Sequence, residues 1–142
     1  MKRIVAIDLG MKRSGIAISD PFQMFASPKE RIDHSENLED ALKKILDSLK
    51  NLSEIEEFVL GLPLHLSGHE SDMSSRVRLF MEKLKELTGK NVHLIDERLT
   101  SKAAENILRE GNMKRKDRTK VVDTLSAALI LQTYLDKRSA CI

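Results

Sequence analysis

The chain predicts an α/β fold: a mixed five-stranded sheet flanked by helices on both faces. Three observations carry this. Short, nearly unbroken apolar runs at 4–7, 57–61 and 91–95 read as strands buried on both faces. Amphipathic stretches at 35–52 and 71–88 alternate with them, which calls for parallel crossovers. The first two strands, by contrast, are separated only by a glycine-punctuated turn, so the sheet must open with an antiparallel hairpin.

The elements follow in order. Residues 2–9 form the first strand, with Ile4, Val5, Ala6 and Ile7 as its apolar run. Gly10 and Gly15 punctuate a turn, and residues 15–20 return beside the first strand until Pro21. A weaker strand is expected over 24–32, interrupted by Pro28. In the helix 35–52, Leu38, Ala41, Leu42, Ile45, Leu46 and Leu49 share one face. The strand 57–61 is stopped by Gly61 and Pro63. The helix 71–88, carrying Val77, Phe80, Met81, Leu84 and Leu87, is closed by Gly89. The strand 91–95 leads into Asp96, Glu97 and Arg98. Thr100 or Ser101 then caps a helix to about 109, ended by Gly111 and Asn112. Residues 112–118 are expected to be a mobile basic loop, and 119–135 the last helix.

Composition narrows the function classes. With 142 residues, 41% hydrophobic and 32% charged, the chain fits one domain with a real core, with 137–142 as a loose tail. No apolar run approaches a membrane span or a signal-peptide core. One cysteine, Cys141, excludes an internal disulfide framework and a cysteine-rich zinc site, so the expected compartment is the cytoplasm. The net charge of +2 is unevenly spread. Residues 98–120 hold eight basic side chains against three acids, and 29–57 hold five against nine. Such polarity steers a polyanion to one side of a molecule, although a charged stretch is more often only a solvated surface.

Asp123 is the most informative residue. It is the only charged side chain between Val121 and Leu135, in a segment apolar on nearly every face. Ser126, Ala127 and Ala128 are small enough to let that helix lie close against a sheet. A carboxylate there is costly unless paired or bound to a cation, the plain alternative being a first-turn acid favoured by the helix dipole. Asp8 ends the first strand, where α/β sheets gather their ligands, and Glu97, beside Asp96, follows another strand. Each has an ordinary reading as a turn or helix-entry acid. Taken together, two strand ends and one buried helix face can meet on one side of the sheet.

Clustered carboxylates repel one another unless a cation neutralises them, and hard oxygen ligands suit Mg²⁺ or Mn²⁺. Two such ions can activate water and stabilise the leaving oxygen in phosphodiester cleavage. The basic stretch then gains a purpose, because a phosphate backbone must be held near the ions. Arg98, Lys114, Arg115, Lys116, Arg118 and Lys120 are the candidate phosphate contacts, with Lys12 and Arg13 beside Asp8.

Four segments resemble the motifs of the YqgF/RuvX family, Holliday-junction resolvases also described as pre-16S ribosomal RNA nucleases. Asp8-Leu9-Gly10 with Lys12-Arg13 and Gly15-Ile16-Ala17 is similar to the first motif, and Gly61-Leu62-Pro63-Leu64 with Gly68 to the second. Asp96-Glu97-Arg98-Leu99-Thr100 is similar to the third, and Asp123 with Ala127-Ala128 to the fourth. His65 and Ser67 depart from the second motif. The resemblance implies a ribonuclease-H-like fold and nuclease chemistry, with catalytic and metal-binding acids at Asp8, Glu97 and Asp123 and Asp96 as their neighbour. It implies structured RNA, including the 5′ end of pre-16S ribosomal RNA within ribosomal precursor particles, or branched DNA as partner. Junction resolution would call for a homodimer, whereas RNA trimming is compatible with a monomer. A ribosome-assembly module that binds nucleic acid without cutting it is the alternative from a different class.

Other patterns rank lower. Gly10 to Gly15 has phosphate-loop spacing, but Ile16-Ala17 stand where Lys and Ser/Thr are needed. Asp-Leu-Gly also resembles the phosphate motif of actin-like ATPases, which need two lobes. His65 and His69 are spaced like zinc ligands, with a helix-weakening Gly68 between them. Aromatics are few; Phe22 and Phe25 are expected to pack in the core or at its rim.

Overall fold

The computed structural model describes residues 2–64, 71–96 and 115–140, the side chains of the last stretch from 124 to 138. The strands are β1 (Arg3–Leu9), β2 (Arg13–Ser19), β3 (Ala26–Asp33), β4 (Ile55–Leu62) and β5 (Asn91–Asp96). The helices are α1 (Leu38–Ser48), α2 (Asp72–Thr88) and α3 (Arg115–Ala140). Strand order is β3-β2-β1-β4-β5. The β1–β2 and β2–β3 pairs are antiparallel, and β1–β4 and β4–β5 are parallel. The expected mixed five-stranded sheet is therefore present, and the helix expected over 100–109 lies outside the described residues.

Alternation along the strands divides the core. On one face Val5, Ile7 and Leu9 join Phe58, Leu60 and Val92 beneath Ala41, Leu42 and Ile45 of α1 and Val77, Phe80 and Leu84 of α2. On the other, Ile4, Ala6, Ala17, Val59 and Ile95 pack against Ala127, Ala128, Ile130, Leu131 and Leu135 of α3. Alanines on both sides of this contact let helix and sheet approach closely. Ser126, also buried there, has no hydrogen-bond partner for its hydroxyl among the described residues. Ser126→Ala is expected to raise stability by up to about 1 kcal/mol, because it removes an uncompensated desolvation cost. Urea denaturation checks this.

Caps explain the helix boundaries. The Asn37 side chain accepts from the Asp40 N–H at 3.0 Å, so α1 starts at Leu38, the first residue of its apolar face, three residues after the start read at 35. Ser71 and Ser74 form a reciprocal box at the start of α2, and Gly89 ends it in the left-handed region at φ 68°. The structure corrects the basic loop: α3 already includes Arg115, Lys116 and Arg118, while 112–114 lie outside the described residues. Nothing between 115 and 135 breaks a helix, and Lys and Arg are good helix formers. The helix also runs on to Ala140, past the point where a tail was expected.

Phe22 and Phe25 do not enter the core; they are 67% and 66% exposed, with Met24 at 60%. The Asp20 carboxylate accepts from the N–H groups of Phe22, Met24 and Phe25 at 2.8–3.1 Å, which closes the β2–β3 turn and turns those side chains outward. Those backbone donors, Phe25 first, hold the Asp20 pKa below its ordinary value.

Glu57, on β4, anchors the far end of α3. It accepts from Tyr134 Oη at 2.6 Å and Arg138 Nη1 at 3.3 Å, and His93 Nε2 lies 3.0 Å from its other oxygen. Burial, then the Glu57 hydrogen bond, pushes the Tyr134 pKa up from 10.0 to about 12. The folded state therefore retains that proton where the unfolded chain loses it. Stability linked to Tyr134 is complete below pH 10 and declines between 10 and 12. Tyr134→Phe should flatten that alkaline decline, measured as melting temperature against pH, and should cost about 1 kcal/mol at neutral pH.

Candidate nuclease site

Parallel pairing aligns the carboxyl ends of β1, β4 and β5 along one edge of the sheet, since Ile7 pairs with Leu60, Leu60 with Leu94 and Leu62 with Asp96. Asp8 lies on that edge, half-buried. Its neighbours Ile7 and Leu9 enter the α1/α2 core, so alternation turns Asp8 to the α3 face with Ile4 and Ala6.

Two glycines make room there. Gly15 is directly opposite Asp8 on β2, and Gly61 follows Leu60, the β4 partner of Ile7. The residues directly beside Asp8 on the two adjacent strands therefore carry no side chain. In the sequence both glycines read as punctuation, but both lie inside strands, where glycine marks a close approach or space for a ligand. Beside Asp8 opens a depression of about 410 Å³ lined by Asp8, Gly10, Met11, Lys12 and Arg13. The side chains of Met11, Lys12 and Arg13 are exposed.

The other predicted residues are placed unequally. Asp96 ends β5, exposed, on the face of Val92 and Leu94, so it is turned away from the face that carries Asp8. Glu97, Arg98 and Lys114 lie outside the described residues. Asp123, Arg115, Lys116, Arg118 and Lys120 lie within α3, with their side chains not described. Gln132 of α3 accepts from Ala26 N at 2.9 Å and donates to Met24 O at 3.1 Å, beside the amino-terminal edge of β1. The helix thus runs antiparallel to β1 and β4. Its nine residues from 132 back to 123 rise roughly 13 Å, as do the four strand residues from Ile4 to Asp8. Among the described residues no three His, Cys, Asp or Glu side chains converge as a metal-holding group.

Sequence reading missed three residues that shape the β1–β2 turn: Ser14, His34 and Arg76. Ser14 and His34 are buried at 1% and 7%, and Arg76 reaches the turn from α2. Nothing in the sequence marked them, since Ser14 fell in the turn read before the strand at 15–20.

The profile of the family described as "RuvX: Holliday junction resolvase" matches residues 2–137. The chain belongs to the RuvX family. A relative from Endomicrobium trichonymphae, named "Putative pre-16S rRNA nuclease", is 45% identical over 140 residues, covering 98% of this chain and 99% of its own. One of the same name from Protochlamydia amoebophila is 43% identical, covering 96% and 94%. Solved structures agree in fold. Thermus thermophilus RuvC in complex with a Holliday junction substrate superposes with TM-score 0.57 at 15% identity, over 98% of this chain and 96% of that one. The fowlpox virus resolvase in complex with Holliday junction DNA gives 0.60 at 11% identity, over 96% and 98%. At such identities the likeness speaks for a shared RNase H-like fold alone. No helix among the described residues is long and apolar enough to cross a membrane.

Proposed function

We propose that this RuvX-family chain is a divalent-metal-dependent nuclease that cleaves phosphodiester bonds in structured RNA, acting on the 5′ end of pre-16S ribosomal RNA in precursor particles. The observation that carries the reading is Asp8, held at the carboxyl edge of β1 between Gly15 and Gly61 with space beside it and basic residues on the adjoining turn. The full-length relatives named for pre-16S rRNA support the choice of RNA.

Asp8, Glu97 and Asp123 would hold the ions. The donor set is all carboxylate oxygen, which fits Mg²⁺ or Mn²⁺ and not a soft metal. Bound there, such ions would supply Lewis acidity, activating a water for attack and stabilising the departing oxygen. The protein's own contribution is to fix the acids on a rigid strand end and a packed helix, and to hold the phosphates through Lys12 and Arg13 on the turn. Arg98, Lys114, Arg115, Lys116, Arg118 and Lys120 extend that basic surface.

The deciding experiment is a parallel cleavage assay on precursor ribosomal RNA and a four-way DNA junction, each with Mg²⁺, Mn²⁺ and chelator. Preferential, metal-dependent cutting of the RNA is expected. Preferential junction cutting would assign the resolvase activity named for the family and call for two copies of the chain. Binding without cleavage of either would favour the assembly module.

The acid cluster also predicts a thermal effect. Ions that bind only the native state stabilise it, by roughly 1.4 kcal/mol at ten times the dissociation constant. Millimolar Mg²⁺ or Mn²⁺ should therefore raise the melting temperature of wild type, and raise that of Asp123→Asn less. Equal responses would remove Asp123 from the site.

A further inference from the structure

We propose that Ser14 and His34 are positioning residues that hold the Gly10–Arg13 turn, and with it Lys12 and Arg13, in the shape that receives a phosphate backbone. This rests on the reading of the turn as a nucleic-acid contact.

The turn is tied down at its backbone while its side chains face solvent. The Gly10 N–H donates to Ser14 Oγ at 3.3 Å, and the His34 N–H donates to the Lys12 carbonyl at 2.9 Å. Arg76 Nη2 reaches the Met11 and Gly10 carbonyls from outside at 3.3 and 3.5 Å, and its Nη1 donates to the Glu36 carbonyl at 2.7 Å. Three successive residues, Gly10, Met11 and Lys12, thus each have a backbone group held by a residue outside them.

The His34 ring sets the direction of this relay. Nδ1 lies 2.8 Å from the Ser35 carbonyl, which can only accept, so Nδ1 carries the hydrogen. In the neutral ring Nε2 then offers a lone pair, and the Ser14 hydroxyl, 2.8 Å away, donates to it. That donation leaves Ser14 Oγ facing Gly10 with lone pairs, matched to the Gly10 N–H. The two side chains are nearly inaccessible, so water cannot replace the arrangement. A buried serine–histidine pair is costlier to build than an apolar pair. Here it is placed under the turn that lines the depression beside Asp8. A turn held in advance gives up less freedom when its lysine and arginine meet phosphates, which raises affinity with no added interaction.

The test compares Ser14→Ala, His34→Leu and His34→Gln, the last of which keeps an acceptor near the position of Nε2. Binding of a fluorescently labelled RNA stem is measured by anisotropy with Ca²⁺ across a salt series, and amide exchange is followed at Gly10 and Ile7. Ser14→Ala and His34→Leu should weaken binding about five- to tenfold, because the turn is no longer preorganised. They should flatten the salt dependence, by up to about 0.7–0.9 in slope for each phosphate that is no longer neutralised. Exchange should rise about tenfold or more at Gly10 while Ile7 stays protected. His34→Gln should recover most of the affinity.

Unchanged affinity and salt slope in folded Ser14→Ala and His34→Leu would overturn the proposal. So would failure of both to fold, which would give the pair to fold stability alone. A Lys12→Gln, Arg13→Gln double variant that binds like wild type would overturn the underlying reading of the turn as a nucleic-acid contact. A wild type that binds but never cleaves would sink only the nuclease reading.

Discussion

Asp8→Asn is expected to lower metal-dependent cleavage by on the order of 10²–10³-fold, the usual scale for removing one group that stabilises charge in a transition state. The side chain keeps its shape, so the fold should persist. Asp8 emerges between Ile7 and Leu9, both anchored in the α1/α2 core, and the edge it occupies is flanked by glycines. On the proposed acid cluster, removing one charge relieves repulsion among the acids, so the metal-free variant should melt at or slightly above the wild-type temperature. A double variant, Asp8→Asn with Asp123→Asn, should lose the remaining activity together with the thermal response to Mg²⁺. The measurement is kcat/KM on precursor RNA with both proteins purified identically. Equal cleavage by wild type and double variant would trace the activity to a contaminant and end the catalytic reading.

Gly10→Ala should have a large structural effect at the site. A Cβ at Gly10 would sit 2.2 Å from the Arg13 carbonyl oxygen, far inside van der Waals contact. The obstructing atom is backbone, which cannot rotate away as a side-chain tip would. The hairpin must open, at a cost of about 1–3 kcal/mol, the range for overpacking a close-fitted site. Opening moves Lys12 and Arg13 relative to Asp8, so nucleic-acid affinity should fall along with the midpoint of urea denaturation. Gly89 provides the contrast. No atom lies within 4 Å of its would-be Cβ, and its constraint is the left-handed φ of 68°. Gly89→Ala should therefore cost stability at the end of α2 without affecting binding.

Local pattern was enough to read much of this fold. The run Ile4–Ile7 and the apolar faces read at Leu38–Leu49 and Val77–Leu87 record which way each segment faces the core; the structure buries Ile4–Ile7, Ala41, Leu42, Ile45, Val77, Phe80 and Leu84, but leaves Leu87 64% exposed at the end of its helix. The small residues of α3 foretold its close approach to the sheet, which Ala6, Ala17, Ala127 and Ala128 produce. The position of Asp8 at a strand end was equally plain, because the apolar run stops there. These features depend on neighbours within one or two turns of chain.

What only the tertiary structure decided depends on partners far apart in sequence. Asp20 gathers three backbone donors, so Phe22 and Phe25 face solvent despite their apolar character. Residues 115–118 continue a helix whose packed face lies farther along the chain, where composition suggested a loop. Asp96 sits beside Glu97 in sequence, yet strand alternation turns it from the face of Asp8. Gly15 and Gly61 have the look of turn residues, and cross-strand register alone shows that they flank the same carboxylate. The Ser14–His34 hydrogen bond joins residues twenty positions apart, and the bond from Arg76 to the Met11 carbonyl joins residues sixty-five apart. Register and long-range hydrogen bonds leave no periodic trace in a sequence, since any chain position can supply the partner. Periodicity encodes which face of an element is buried; only the packed molecule determines what that face meets.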